Sequence, residues 1–176
     1  MGRQRLEGRP ACKGVGMRIF VPEGIASSLT GRAASKDEFK LLAKAVPVPS
    51  RINWLIDLMS TYALAGCRVS LPAEADMSGY GVEMIWLTPA QMVSELQDAE
   101  PGITAGKSGF IPMGMCAKGS GDPYFFDLRA PNTDDPPVVR LLHDMAGDDI
   151  FPDEGIETVQ PSLSSFFAKL ACYQSG

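Results

Sequence analysis

The sequence predicts an α+β domain, an antiparallel sheet of about four to six strands with helices packed mainly on one face. Three observations lead there. Helical stripes stand towards both ends of the chain, whereas strand-like segments lie between them. Connections in the last third are too short for the crossover helix that parallel neighbours require. The 176 residues, 45% apolar and 21% charged, are ordinary globular material and suffice for one unstapled core.

Taken in order, Ser35 and Glu38 have capping-box spacing and Phe39, Leu42 and Ala43 form an apolar stripe, so a helix is expected from about 35 to 46. Val46-Pro47-Val48-Pro49 ends it. A second helix starts near Pro49 or Ser50, sets Ile52, Leu55, Ile56, Met59 and Ala63 on one face, and is expected to stop at Gly66. Cys67 to Leu71 reads as a short strand, Pro72 to Gly81 as a polar loop, and Val82 to Leu87 as a strand. Thr88-Pro89-Ala90-Gln91 opens a third helix, with Thr88 as cap, Gln91 at the reciprocal position, and Met92, Val93 and Leu96 towards the core. Glu100-Pro101-Gly102 closes that helix and begins an expected flexible stretch to Gly109. A meander follows over Phe110 to Met113, Tyr124 to Leu128 and Val138 to His143. Alternation sends Tyr124, Phe126 and Leu128 to one side of the sheet and Phe125 and Asp127 to the other. Ser162 caps a closing helix striped by Leu163, Phe166, Phe167 and Leu170.

Residues 1–34 are expected to be a partly flexible N-terminal segment and residues 35–176 the domain. Arg3, Arg5, Arg9, Lys13 and Arg18 make the start basic, but no apolar core of a secretory signal follows before Pro22. Gly8, Pro10, Gly14 and Gly16 would also interrupt the helix of an organelle transit peptide. No run approaches the roughly 18 apolar residues that cross a bilayer. Cys12, Cys67, Cys116 and Cys172 have no zinc-site spacing and read as free thiols of a reducing compartment, so a cytoplasmic location is expected. Residues 1–50 carry nine basic against four acidic side chains, a net +5; the remaining residues carry seven against seventeen, a net −10. So acidic a body repels phosphate backbones, which argues against nucleic acid, and attracts a basic partner.

Ile85-Trp86-Leu87-Thr88-Pro89, then Phe110-Ile111-Pro112-Met113-Gly114, then Gly121-Asp122-Pro123-Tyr124-Phe125-Phe126-Asp127-Leu128 stand in a distinctive order. With Pro137-Val138-Val139-Arg140-Leu141-Leu142-His143-Asp144 and the closing Ser162-Leu163-Ser164-Ser165-Phe166-Phe167, this order resembles the SUKH superfamily over about residues 35–171. The family's usual Asn-Gly after the second helix is replaced by Tyr62-Ala63-Leu64-Ala65-Gly66. SUKH domains include yeast cell-wall regulators of the Smi/Knr type and bacterial immunity proteins that neutralise toxins. The resemblance implies a protein-binding domain, either an immunity protein or a regulatory scaffold.

Catalytic motifs are sparse. His143 is the single histidine, and a turn or hydrogen-bonding role beside Asp144 competes with a place in a small hydrolase's triad. No Gly-x-Ser-x-Gly elbow marks a nucleophile, so no catalytic residue is assigned. Gly106-Lys107-Ser108-Gly109 and the glycine-rich run from Gly114 to Asp122 lack the spacing of a phosphate-binding loop. No cofactor or metal site is expected, because one histidine has no ligand partners at helical or loop spacing and the calcium-loop pattern is missing. Trp54 and Trp86 sit in apolar segments and are expected in the core.

The most suggestive polar feature is the cluster Asp144, Asp148, Asp149, Asp153, Glu154 and Glu157, with Asp134 and Asp135 nearby in sequence. A solvated face is one reading, since charge runs on loops commonly just solvate a fold, and paired carboxylates for glycosidic or phosphoryl chemistry are another, though spacing on loops does not establish their separation. The third is an anionic surface that docks a basic toxin through Asp134, Asp135, Asp144, Asp148, Asp149, Asp153 and Glu154. Phe151, an apolar side chain inside the acidic run, is then either an interface anchor or tucked beneath the loop.

Overall fold

The alternation of Tyr124-Phe125-Phe126-Asp127 sets the architecture, because successive side chains of a strand leave opposite faces and both faces must then be covered. The computed structural model describes residues 19–130, 134–147 and 149–174. Its sheet holds six antiparallel strands in sequence order, β1 (Arg68–Leu71), β2 (Val82–Trp86), β3 (Phe110–Cys116), β4 (Tyr124–Asp127), β5 (Val138–Leu141) and β6 (Ile156–Gln160). This is the expected α+β class with a curled sheet. The curl is fastened across its two edges: Met77 in the β1–β2 connection donates its N–H to Val159 of β6 at 3.1 Å, and Gln160 Nε2 reaches the Ala75 carbonyl at 2.5 Å.

Tyr124, Phe126 and Leu128 join the larger core, as the alternation requires, with α1 (Glu23–Ser28), α2 (Phe39–Ala45), α3 (Asn53–Thr61), α4 (Pro89–Asp98) and α6 (Leu163–Gln174). Trp54, Trp86, Phe126, Phe166 and Phe167 make its aromatic centre; Trp54 meets Phe126 edge-on at 5.0 Å, and Trp86 stacks on Phe167 at 6.0 Å. Both tryptophans are therefore core residues, and both indole N–H groups are buried without a partner. The other side of the sheet carries a smaller cluster of Ala105, Phe110, Phe125, Val139, Leu141 and Phe151.

The Ser35–Glu38 and Thr88–Gln91 capping boxes both form, and all four stripe residues of α6 are fully buried. Four local expectations are corrected. The second helix ends at Thr61 rather than Gly66, because Arg32 and Ala65 exchange backbone hydrogen bonds of 3.0 Å that draw the chain into extended form. The stretch after Gly102 is a helix, α5 (Gly102–Lys107), whose Gly102 lies so close to α4 that an added Cβ would sit 1.9 Å from the Glu95 carbonyl oxygen. Glu157 belongs to strand β6, not to a loop. The domain does not begin at 35, since Ile19, Val21 and Ile25 are buried in the larger core.

Candidate partner-binding site

The acidic run forms a closed excursion between β5 and β6. Leu142 leaves β5 and Gly155 re-enters β6, and the Leu142 N–H donates to the Gly155 carbonyl at 3.0 Å, so the ends of the loop touch as in an Ω-loop. Between them the chain folds back over the smaller cluster. Phe151 is 2% exposed and meets Phe110 edge-on at 6.5 Å, while its N–H donates to Ser108 Oγ at 2.8 Å. Thr104 of α5 holds the same loop by donating its hydroxyl to the Gly147 carbonyl at 2.8 Å. Phe151 therefore pins the loop from beneath and does not serve as an exposed anchor; its neighbour Ile150, 75% exposed, takes the outward position. Met145 is the second exposed large apolar side chain of the loop.

The carboxylates divide by what they touch. Asp144, Asp149 and Glu154 are exposed and form no ion pair among the described residues. Asp153 is exposed but bound to Arg129 Nη1 at 2.7 Å, while the other arm of that guanidinium holds Asp127 at 2.9 Å. Glu157 faces inward onto Arg140 at 2.8 Å. Asp135 leaves the expected surface: it lies before β5, at the end of that strand away from the loop, and accepts the Ser164 N–H at 2.8 Å. A carboxylate there satisfies an orphan donor at the start of α6 and suits its dipole, so it acts on the helix. Asp134 beside it is exposed, and Asp148 lies outside the described residues.

At the foot of the loop is a cleft of about 410 Å³ that sequence reasoning missed. It is lined by Leu142, where the loop leaves β5, by Glu157 of β6, by Tyr80 and Gly81, by Cys116 at the end of β3, and by Lys118, Ser120 and Asp122 of the β3–β4 turn. Tyr124 and Arg140 stand at its base, 2% and 5% exposed. Arg140 is a clasp for the curl: Nη1 donates to Glu157 (2.8 Å) and Ser78 Oγ (3.2 Å), and Nη2 to Asp76 (3.1 Å) and the Gly81 carbonyl (2.7 Å). Its guanidinium also lies over Tyr80 and Tyr124, 5.6 and 5.3 Å from the ring centres. Asp76 is 64 positions away in sequence, so no local pattern announces the pair.

No family model matches this chain, and no curated protein or solved structure does either.

At the rim of the cleft, His143 and Asp122 join the loop to the β3–β4 turn. Asp122 Oδ1 accepts from the His143 backbone at 3.1 Å and lies 2.9 Å from its Nδ1. This bond raises His143 above the ordinary imidazole range, and it holds Asp122 below the usual carboxylate range against the opposing push of burial. Burial likewise pushes the Cys116 thiol up, but the Ser120 hydroxyl at 3.1 Å and turn N–H groups bring it below its ordinary value. Cys116 thus bonds Ser120 while His143 bonds Asp122. Among the described residues no group of three histidine, cysteine or carboxylate side chains is placed to hold a metal ion, and no helix is long and apolar enough to cross a membrane.

Proposed function

We propose that this chain is a non-enzymatic, cytoplasmic protein-binding domain of the SUKH type, an immunity protein that neutralises a basic toxin by covering its active surface. One observation carries the reading. A closed loop, pinned from below by Phe151 and Thr104, presents Ile150 and Met145 outward among Asp144, Asp149, Asp153 and Glu154. An apolar centre with a charged rim is how specific interfaces divide labour, the former supplying desolvation and the latter encounter rate and register. The net −10 beyond residue 50 extends the same attraction over the whole body. Mounting the loop by both ends and by a buried phenylalanine lowers the ordering cost of binding.

The test begins with the protein retained by this chain in its host. Association of the two is then followed across a range of salt with wild type and with a variant carrying Asn or Gln at Asp148, Asp149, Asp153 and Glu154. The variant is expected to associate about tenfold more slowly at low salt and to lose most of the salt dependence. Equal rates and equal salt slopes would overturn the electrostatic reading, and turnover of a substrate by the purified chain would overturn the non-enzymatic one.

A further inference from the structure

The cleft at the foot of the loop has contents that the exposed acids do not explain. We infer that it is a pocket for a single lysine or arginine side chain of the partner, an inference that rests on the basic-partner reading above.

The first argument is charge. Arg140 stands between Asp76 and Glu157, so the three together are net negative, and both its Nη groups donate inward, to Glu157, Ser78, Asp76 and the Gly81 carbonyl. Lys118 is offset by Glu83 at 3.7 Å, and Asp122 adds a further negative charge at the rim, facing His143. All these charges are paired, but the four carboxylates of Asp76, Glu83, Asp122 and Glu157 outnumber the cations of Arg140 and Lys118 even when His143 is protonated, so the local field favours a cation over an anion.

The second argument is shape and surface. Tyr80 is 67% exposed and is held out between Gly79 and Gly81, whose φ angles of +78° and +74° place them in the left-handed region. Its exposed ring offers a face for a guanidinium or ammonium group, and the half-buried Leu142 offers apolar surface for an aliphatic stem. A volume of about 410 Å³ suits a side chain or small molecule.

The third argument is position. Leu142, where the chain leaves β5 for the loop, also lines the cleft, so the opening adjoins the base of the loop. The pocket therefore gives the interface a specificity that scattered surface carboxylates do not.

The test needs no identified partner. The full chain is titrated with N-acetylarginine amide at low ionic strength while its amide resonances are followed by NMR, with N-acetylglutamate amide as control. The arginine probe is expected to shift the Gly81, Ser120 and Leu142 amides saturably, and the glutamate probe is not. Tyr80→Ala should weaken binding about fivefold by removing the aromatic wall. Lys118→Glu should tighten it about threefold by removing a like charge. Both side chains are largely at the surface, and unchanged dispersion of the spectra checks the fold. Absence of saturable shifts, equal binding of the glutamate probe, an unaffected Tyr80→Ala variant or weaker binding by Lys118→Glu would each overturn the pocket. If the pocket fails while neutralising the loop still slows association, partner docking stands without it; if neutralising the loop also changes nothing, the basic-partner reading falls as well.

Discussion

The two faces of the sheet are built for different work. One is buried under five helices and an aromatic centre of Trp54, Trp86, Phe126, Phe166 and Phe167, with charge kept to the Arg140 clasp at its margin. The other is covered by α5 and by a loop whose inner residue, Phe151, closes a small cluster while its outer residues are acidic. The difference teaches that the apolar mass of the fold is concentrated on one face, and that the other spends little apolar material beyond what fixes its acidic loop.

Truncation of one phenylalanine on each side gives the largest expected effects. Phe126→Ala should cost about 5 kcal/mol in denaturant unfolding, because the packed aromatics around it cannot collapse into the void. Phe151→Ala should cost about 3 kcal/mol, since a loop settles into a cavity more readily than a sheet does. Equal losses would break the proposed division between the faces. Arg140→Ala is expected to cost about 4 kcal/mol, leaving Asp76 buried without its counter-charge. A loss well below that would mean that the curl is held by the backbone bonds from Met77 and the side-chain bond from Gln160 alone.

These contrasts were unevenly legible in the sequence. The stripe of α6 and the Thr88 cap could be read directly, because helical periodicity and capping are local and their residues do what the spacing says. Helix α5 could not: six residues including Gly102 and Gly106 have poor intrinsic propensity, and the helix exists because small residues let it press against α4. Strand β6 was hidden by Glu157 and Thr158 and by a register shift opposite Val138 and Val139, which together blur the period of two. The site was half visible. Acidity marked the loop, but no period in Asp149-Ile150-Phe151-Pro152 says which apolar side chain turns inward, and sequence nearness grouped Asp135 with the loop although it lies at the far end of β5. The cleft depends on Asp76, Tyr80, Asp122, Arg140 and Glu157 from four separate stretches, which only the curled sheet assembles.

The smallest expected effect sharpens the junction between loop and cleft. His143 should titrate above its ordinary value of about 6.5, and Asp122→Asn should lower it towards that value, with the smaller pull of Asp144 remaining, as read from imidazole resonances by NMR. Because the folded value is raised, the anchoring contribution is complete below the unfolded value and fades as pH rises through the folded one. An unshifted midpoint would show that the His143–Asp122 bond does not persist in solution.

The hydrogen bond from Leu142 to Gly155 has an evolutionary consequence. It closes the loop upon itself at the strand ends, so the exposed residues of the loop are not needed to hold β5 and β6 together. Tip residues can then be exchanged, or the loop lengthened at small entropic cost, without retuning the body that carries it. Such a cassette lets a lineage alter a few surface side chains while keeping one scaffold.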